Sequence, residues 1–196
     1  RSYILPLQTL LAKYPIKDAK WFLAPEHAFM RDAKGRLLAF PYMVEIPVMY
    51  YNVDAFKKAH LEPAVPARTW MGLQDQLVKL ANGGSRDCPY TTDQPVSINL
   101  ESLAAVNNQL YLTGDNGMQP KVTPSFPLDL MYIRHLSTMI SWARTGLLVK
   151  PELEAKSTQR FANRECAVLM SSSSNLGWFN DTRSLKFGVS GLSYYQ

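Results

Sequence analysis

Hydrophobic positions along the chain alternate between the spacing of strands and the spacing of helices. Residues 36–51 are dense in β-branched and aromatic side chains and are broken by Pro41 and Pro47, which predicts two strands separated by a kink. Residues 165–170 predict a buried strand, and residues 128–148 carry the strongest helical pattern. Because strands and helices alternate, the pattern predicts parallel βαβ units and an α/β fold.

The remaining predicted elements are shorter. Helices are expected at residues 3–11, 53–59, 70–80, 97–112, 160–163 and 175–180, and strands at 88–90 and 185–189. Thr69 is a good N-cap for the helix that follows it, and the Gly- and Pro-rich residues 113–127 predict a loop.

Charge and length disfavour a nucleic-acid partner and a membrane-spanning segment. The chain has 196 residues and a formal net charge of +5, but its basic residues are scattered among apolar ones. Nucleic-acid binders concentrate basic charge on one face, so we expect no nucleic-acid partner. No apolar run approaches the roughly 18 residues that span a bilayer.

Two cysteines and three histidines limit the metal and redox chemistry. Cys88 and Cys166 form no CxxC motif and the histidines lie far apart, which disfavours a zinc site. Two cysteines suit either one disulfide or two buried thiols, and the residues alone slightly favour the thiols. No cofactor is implied.

Four consecutive serines, residues 171–174, follow the predicted buried strand and lead into a helix. One serine would suffice to cap that helix, and four exceed this need. Helix N-termini expose unpaired N–H groups, so a hydroxyl cluster at this point suits an anionic or hydroxyl-rich ligand. Ligands also bind outside the carboxyl ends of strands in open α/β sheets.

Glu45 is the second candidate site residue. An ordinary core strand explains its apolar neighbours, but a carboxylate is costly to bury unpaired. We therefore expect Glu45 to face a cleft and to accept hydrogen bonds from ligand hydroxyls.

Evidence for catalysis is weak. No GxSxG motif occurs, and Ser172 has no evident His and Asp partners. His135 fits an ordinary position on a long helix, and Glu152 and Glu154 fall in a solvated connector. An α/β hydrolytic enzyme remains the alternative from another class, but the residues favour binding without turnover.

The run FPYMVEIPVMYYNVDAFKKAHLEPAVPARTW, residues 40–70, resembles the hinge region of the large solute-binding proteins of carbohydrate ABC importers. Two further segments resemble the glycerol-3-phosphate-binding branch of that family. These are Cys-Pro-Tyr at residues 88–90 and FANRECAV at residues 161–168, which precedes the serines. Together the similar segments extend over nearly the whole chain.

This resemblance implies a periplasmic-binding-protein-like two-lobe fold that is incomplete at both ends, since family members are about twice this long. It places residues 1–66 in the first lobe with the hinge strand and residues 67–196 in the second lobe. Closure of the lobes would trap a small polar solute for delivery to a membrane permease. The implied location is periplasmic, and the complete protein would be a monomer.

The resemblance also implies site residues. The family's serine-rich turn corresponds to Ser172 and Ser173, whereas its hinge-strand serines are replaced here by Val44 and Glu45. Gln94 and Ser97 stand where the glycerol-3-phosphate branch carries a pair of tryptophans. These six positions are the expected ligand contacts, with Tyr42 or Trp178 as aromatic walls.

Loss of the two indoles would enlarge the pocket and remove stacking surface. The resemblance implies glycerol-3-phosphate, a glycerophosphodiester or a related polyol phosphate as the solute, and the larger pocket favours the larger of these. A neutral sugar or oligosaccharide is the alternative. The same alignment puts Cys88 and Cys166 at the starts of neighbouring parallel strands. A disulfide is feasible there if their Cα atoms lie within about 7 Å.

Overall fold

The computed structural model describes residues 5–16, 31–32, 34–40, 42–119, 121–125, 130–152 and 155–196. The chain divides into two compact units, Arg1–Val44 and Glu45–Gln196. Several positions named in the sequence analysis, including Pro41, Glu154 and the first residues of the helices predicted at 3–11 and 128–148, lie outside the described residues.

The smaller unit contains helix α1 (Leu7–Lys13), which begins directly after Pro6. Its other feature is a turn in which Gly35 takes a positive φ of 73°. The Asp32 carboxylate accepts hydrogen bonds from the backbone N–H and the guanidinium of Arg36, at 2.9 and 2.7 Å. These bonds, the backbone one first, lower the pKa of Asp32 below its usual range.

The larger unit is built on one four-stranded sheet. Its strands are β1 (Pro47–Asn52), β2 (Cys88–Thr92), β3 (Cys166–Ser172) and β4 (Phe187–Ser190), in the order β2-β3-β1-β4. Strands β2 and β3 are parallel, whereas β1 is antiparallel to both β3 and β4. The α/β class is confirmed. The predicted parallel pairing is found between β2 and β3 but not for β1, because alternation along the chain does not specify the direction in which a strand enters a sheet.

Helices cover both faces of this sheet. They are α2 (Val53–Lys58), α3 (Trp70–Asn82), α4 (Ser102–Val106), α5 (Leu130–Thr145), α6 (Lys156–Ala162) and α7 (Leu176–Asp181). A π-helical turn, Ser97–Glu101, runs into α4, and a 3-10 turn, Ser173–Asn175, leads into α7. Thr69 caps α3 as predicted, its hydroxyl accepting from the N–H of Gly72. Among the described helices, none is both long and apolar enough to serve as a membrane span.

Three predicted elements differ from the structure. Residues 36–51 were expected to hold two strands, yet among their described positions only Pro47–Asn52 is a strand, and residues 42–46 are exposed. The helix predicted at residues 97–112 ends at Val106, because Asn108 takes a positive φ of 55°. The predicted loop contains a left-handed turn at Thr113–Gly117.

Side chains alternate between two cores on opposite faces of the sheet. Met49 and Met170 pack on one face with Leu73 of α3 and Trp142 of α5. Tyr50 and Leu169 pack on the other face with Phe161 of α6 and Phe179 of α7. All seven residues of β3 are buried, as expected of a strand with helices on both faces.

A disulfide joins Cys88 and Cys166 at the starts of β2 and β3. The two residues are direct partners in the parallel register, with Cα atoms 4.4 Å apart. The arrangement implied by the family resemblance is thereby confirmed, and the slight preference for two thiols is wrong. The residues alone missed the disulfide because the cysteines are 78 positions apart and only the strand register brings them together.

The predicted boundary between residues 66 and 67 differs from the division into compact units. Strand β1 pairs with β3 and β4, so the segment after Val44 belongs to the same unit as residues 67–196. The assignment of these segments to the lobes of a whole binding protein stays a prediction.

Candidate functional site

All four strands have one terminus at the same end of the sheet, and this end is called the edge below. The register pairs Pro47 at the start of β1 with Ser172 at the end of β3, and Thr92 at the end of β2 with Met170. The pairing of Met49 with Ser190 brings the end of β4 to the same edge. The carboxyl ends of three strands therefore meet the amino end of β1, at the type of edge where α/β proteins bind ligands.

Ser172 lies at this edge but is only 5% exposed. Its hydroxyl donates a hydrogen bond to Oε2 of Glu45, at 2.8 Å, and accepts one from the backbone N–H of Ser174, at 3.0 Å. Its carbonyl oxygen accepts a hydrogen bond from the Tyr50 hydroxyl at 2.9 Å. Ser172 thus caps the 3-10 turn and is hydrogen-bonded to both Glu45 and Tyr50. Its predicted contact with a ligand stays a prediction.

Ser173 extends the pairing of β1 and β3 by one residue. Its N–H donates to the carbonyl of Ile46 at 2.8 Å, and its hydroxyl accepts from the N–H of Ile46 at 3.2 Å. The hydroxyl proton of Ser173 has no acceptor among the described residues, and its side chain is half-buried. Of the two predicted serines, Ser173 is therefore the one with a free donor.

Glu45 is exposed, and its predicted place at a cleft and its contact with ligand hydroxyls stay predictions. The strand begins two residues later, so Glu45 precedes the apolar run instead of interrupting it. Val44 is 62% exposed and ends the smaller unit. The contact between Glu45 and Ser172 joins two predicted site residues that are 127 positions apart.

Asp93 is a second carboxylate at the same edge, and the sequence analysis missed it. Its Oδ2 accepts hydrogen bonds from the hydroxyls of Ser171 and Thr158, at 2.9 and 2.8 Å. Its Oδ1 is buried and has no hydrogen-bond partner among the described residues. Burial and, second, the charge of Asp93 raise the pKa of Tyr50 to about 12. The signal in the sequence was an acidic residue placed directly after a buried strand.

Gln94 and Ser97 follow β2 and are both half-buried. The N–H of Gln94 donates to the hydroxyl of Thr92 at 3.0 Å, and its carbonyl accepts from the N–H of Ile98 at 2.9 Å. Gln94 lies two residues past the end of β2, and Ser97 opens the π-helical turn that follows. The predicted contacts of Gln94 and Ser97 with a ligand stay predictions.

The proposed aromatic walls have different environments. Tyr42 is 85% exposed and belongs to the smaller unit. Trp178 on α7 is 38% exposed, and its ring stacks on Phe179 at a centroid distance of 5.7 Å.

A cleft of about 410 Å³ opens beside the start of β1. Pro47 lines it together with Arg68, Ser102, Gly191 and Tyr194. Gly191 allows this arrangement, since an added Cβ would lie 2.8 Å from the Arg68 guanidinium. The cleft shares Pro47 with the serine edge and carries one basic side chain.

His135 is fully buried in a structural network. Its Nδ1 lies 2.9 Å from the Tyr195 hydroxyl and its Nε2 lies 2.8 Å from Oδ1 of Asn99. Because Asn99 Oδ1 can only accept, Nε2 carries the proton and Nδ1 accepts from Tyr195. Burial lowers the pKa of His135 to about 4. The ring is thus neutral and internally bonded, as expected of a structural residue.

This network predicts a pH-dependent stability. The folded-state pKa of His135 lies below the unfolded value, so the unfolded chain binds more protons between pH 6.5 and 4. The free energy of unfolding should fall by on the order of 2 to 3 kcal/mol as the pH drops through this window. Urea unfolding at a series of pH values measures the effect. His135→Gln should flatten the profile, whereas the exposed-site control His60→Asn should not, and an unchanged profile in H135Q would contradict the assignment.

The geometry assembles a polar edge on an α/β sheet. Hydroxyls, an amide and two carboxylates converge there, and no group of three or more metal-ligating side chains forms within the described residues. Such an edge characterises proteins that hold small polar solutes.

Residues 2–186 match the family of bacterial extracellular solute-binding proteins, and the chain belongs to this family. Membership confirms three predictions: the solute-binding class, the extracytoplasmic location and the assignment as a binding protein instead of an enzyme.

Relatives in the family carry a more specific description. The sn-glycerol-3-phosphate-binding periplasmic protein UgpB of Brucella abortus (strain 2308) is 32% identical over 197 residues, which covers 98% of this chain and 45% of that protein. UgpB of Rhizobium meliloti (strain 1021) is 30% identical with the same coverage. The chain therefore spans less than half the length of these relatives.

Solved structures confirm the fold. UgpB from Mycobacterium tuberculosis in complex with glycerophosphocholine superimposes with a TM-score of 0.71 at 17% identity, covering 98% of this chain and 48% of that one. An ABC transporter solute-binding protein from Thermotoga lettingae TMO, bound with alpha-D-tagatose, gives 0.75 at 15% identity, covering 100% of this chain and 50% of that one. The fold is of the periplasmic-binding-protein type, as the resemblance implied.

Proposed function

We propose that the whole protein captures a small polar solute outside the cytoplasm and delivers it to the membrane permease of an ABC importer. The observation that carries this proposal is the sheet edge where Glu45, Asp93 and Ser171–174 converge. A site of this kind exchanges the hydration of a solute for hydrogen bonds from fixed polar groups. Because the chain corresponds to part of its relatives, the remainder of the protein supplies the other contacts.

The solute class that we propose is glycerol-3-phosphate, a glycerophosphodiester or a related polyol phosphate. The similarity to proteins named for glycerol-3-phosphate supports this class. Gln94 and Ser97, in place of the two tryptophans of that branch, favour a member larger than glycerol-3-phosphate itself, because smaller side chains leave more room.

A neutral sugar or oligosaccharide is the second candidate. The carboxylate of Glu45 favours it, since sugar hydroxyls donate well to a carboxylate. The tagatose-bound structural neighbour shares the fold. In both cases we propose contacts from Ser173, Ser172 and Glu45, with Val44, Gln94 and Ser97 completing the site.

The organisation of the whole protein is also a proposal. Residues 67–196 would form most of one lobe, and residues 1–66 would contribute to the other lobe together with the hinge strand. By analogy with the periplasmic location in the relatives' names, the complete protein would act in the periplasm. It would act there as a monomer.

The proposal is tested with the full-length protein. Mass spectrometry of the solute that co-purifies gives its chemical class, and titration calorimetry with glycerol-3-phosphate, glycerophosphocholine and maltose gives affinities. We expect dissociation constants at or below the micromolar range for at least one of the three, with no product after prolonged incubation. Turnover of a bound probe would instead support a hydrolytic enzyme, and failure of all three to bind would reject both solute classes.

A further inference from the structure

Three of the four hydroxyl protons of the serine turn, those of Ser171, Ser172 and Ser174, are already used in hydrogen bonds within the protein, and among the described residues only the proton of Ser173 stays free. A serine hydroxyl has one proton and two lone pairs. The proton of Ser172 goes to Glu45 Oε2 at 2.8 Å, so the 2.8 Å contact between the hydroxyls of Ser172 and Ser174 must use the Ser174 proton. With the N–H of Ser174 as a further donor at 3.0 Å, the Ser172 oxygen has no capacity left.

Ser171 follows the same pattern on the other face of the strand. Its proton goes to Asp93 Oδ2 at 2.9 Å, and its oxygen accepts from the amide of Asn175 at 2.8 Å. Three hydroxyl protons are therefore directed, in one or two steps, to the carboxylates of Glu45 and Asp93. Apart from the free hydroxyl proton of Ser173, the groups that this edge can still offer a solute are lone pairs, on the two carboxylates and on Ser174.

The negative charge at this edge also favours solute groups that donate hydrogen bonds. Within the described part of the chain, neither Glu45 nor Asp93 has a basic nitrogen within 4 Å, since the ion pairs there involve other acids. Glu45 is exposed whereas Ser172 behind it is buried, so a solute meets the carboxylate before it meets the serine. A carboxylate accepts hydrogen bonds and donates none, and it repels a second anion.

We infer that Glu45, assisted by the half-buried Asp93, makes this edge select hydrogen-bond-donating neutral or cationic groups of the solute and exclude a phosphate. The matching chemistry is a sugar or polyol hydroxyl, or an ammonium group. This inference rests on the proposed function, because it assumes that the edge is the solute site.

The test is calorimetry on full-length wild-type protein and Glu45→Gln with maltose, glycerophosphocholine and glycerol-3-phosphate. The amide keeps the size of the side chain and removes its charge. We expect about tenfold weaker binding of maltose or glycerophosphocholine and several-fold tighter binding of glycerol-3-phosphate. Asp93→Asn should shift the preference in the same direction by a smaller factor, since its charge acts from behind Ser171.

Glu165→Gln is the matched control. It makes the same chemical change at the opposite end of β3, about 20 Å away, and should leave all three affinities unchanged. If E45Q binds every probe as the wild type does, or loses affinity for glycerol-3-phosphate, the inference is overturned while the proposed function stands. If the wild type binds none of the probes, both are overturned.

Discussion

Replacing both cysteines, Cys88→Ala with Cys166→Ala, is expected to lower the free energy of unfolding by about 4 kcal/mol. The disulfide closes a loop across 78 positions, and a loop of this length removes much of the conformational freedom of the unfolded chain. Both cysteines are fully buried, so the loss of packing adds to the entropic effect. Urea unfolding of the two proteins in oxidising buffer measures the difference.

A reductant provides the control for this experiment. Dithiothreitol should lower the stability of the wild type towards that of the double variant and should not alter the variant, which has no free or paired thiol left. Equal stabilities of the two proteins in oxidising buffer would show that the cross-link contributes nothing. The effect also bears on the site, because the bond fixes the register of the two strands whose far ends carry Asp93 and Ser172.

Local elements were predictable from the sequence because their signals are local. Thr69 caps α3 through an N–H three residues away, and the predicted helix at residues 70–80 appears as Trp70–Asn82. The buried strand predicted at residues 165–170 appears as Cys166–Ser172 for the same reason: an unbroken apolar run between polar segments has few alternatives. Where both partners of an interaction are near in sequence, the pattern of residue types is sufficient to predict the element.

Strand direction and long-range pairing were not predictable from the residues. Strand β1 pairs with β3, whose partner residues lie more than 100 positions away, and nothing in either segment states whether they run parallel. The contact between Glu45 and Ser172 depends on this register, and the disulfide depends on the parallel register of β2 and β3. The family resemblance anticipated the pairing of the cysteines because it supplied the topology that the pattern lacks.

The candidate site likewise contains residues that the sequence could indicate and residues that only the fold reveals. The serine turn and Glu45 stood out because their residue types are unusual beside apolar strands, and the structure brings them into contact. Asp93 escaped notice because an acid after a strand end is common, and its significance lies in partners at Ser171 and Thr158 that only the fold assembles. The hydroxyl of Ser172 is saturated by its neighbours, so the exposed hydrogen-bond acceptor beside it is the carboxylate of Glu45.

Phe179 connects the stability of the fold to the position of the serine turn. It is fully buried on α7, the helix that follows the turn. Its ring packs edge-on against Tyr50 at a centroid distance of 4.8 Å and lies 5.1 Å from the ring of Phe161. Tyr50 in turn donates its hydroxyl proton to the carbonyl of Ser172. One aromatic ring thereby supports both the core and the polar edge.

Phe179→Ala is therefore expected to lower the free energy of unfolding by about 3 to 5 kcal/mol, through lost burial and the cavity left among the rings. Urea unfolding measures this loss, and calorimetry of the folded fraction should show weaker solute binding because the turn loses its support. Phe179→Leu retains most of the volume and should cost about 1 to 2 kcal/mol. The exposed Leu176→Ala, on the same helix, should stay within about 0.5 kcal/mol of the wild type. If F179A matched L176A in stability, the ring cluster would not be what holds α7 on the sheet, and the serine turn would owe its position to the hydrogen bonds of Ser171, Ser172 and Ser173.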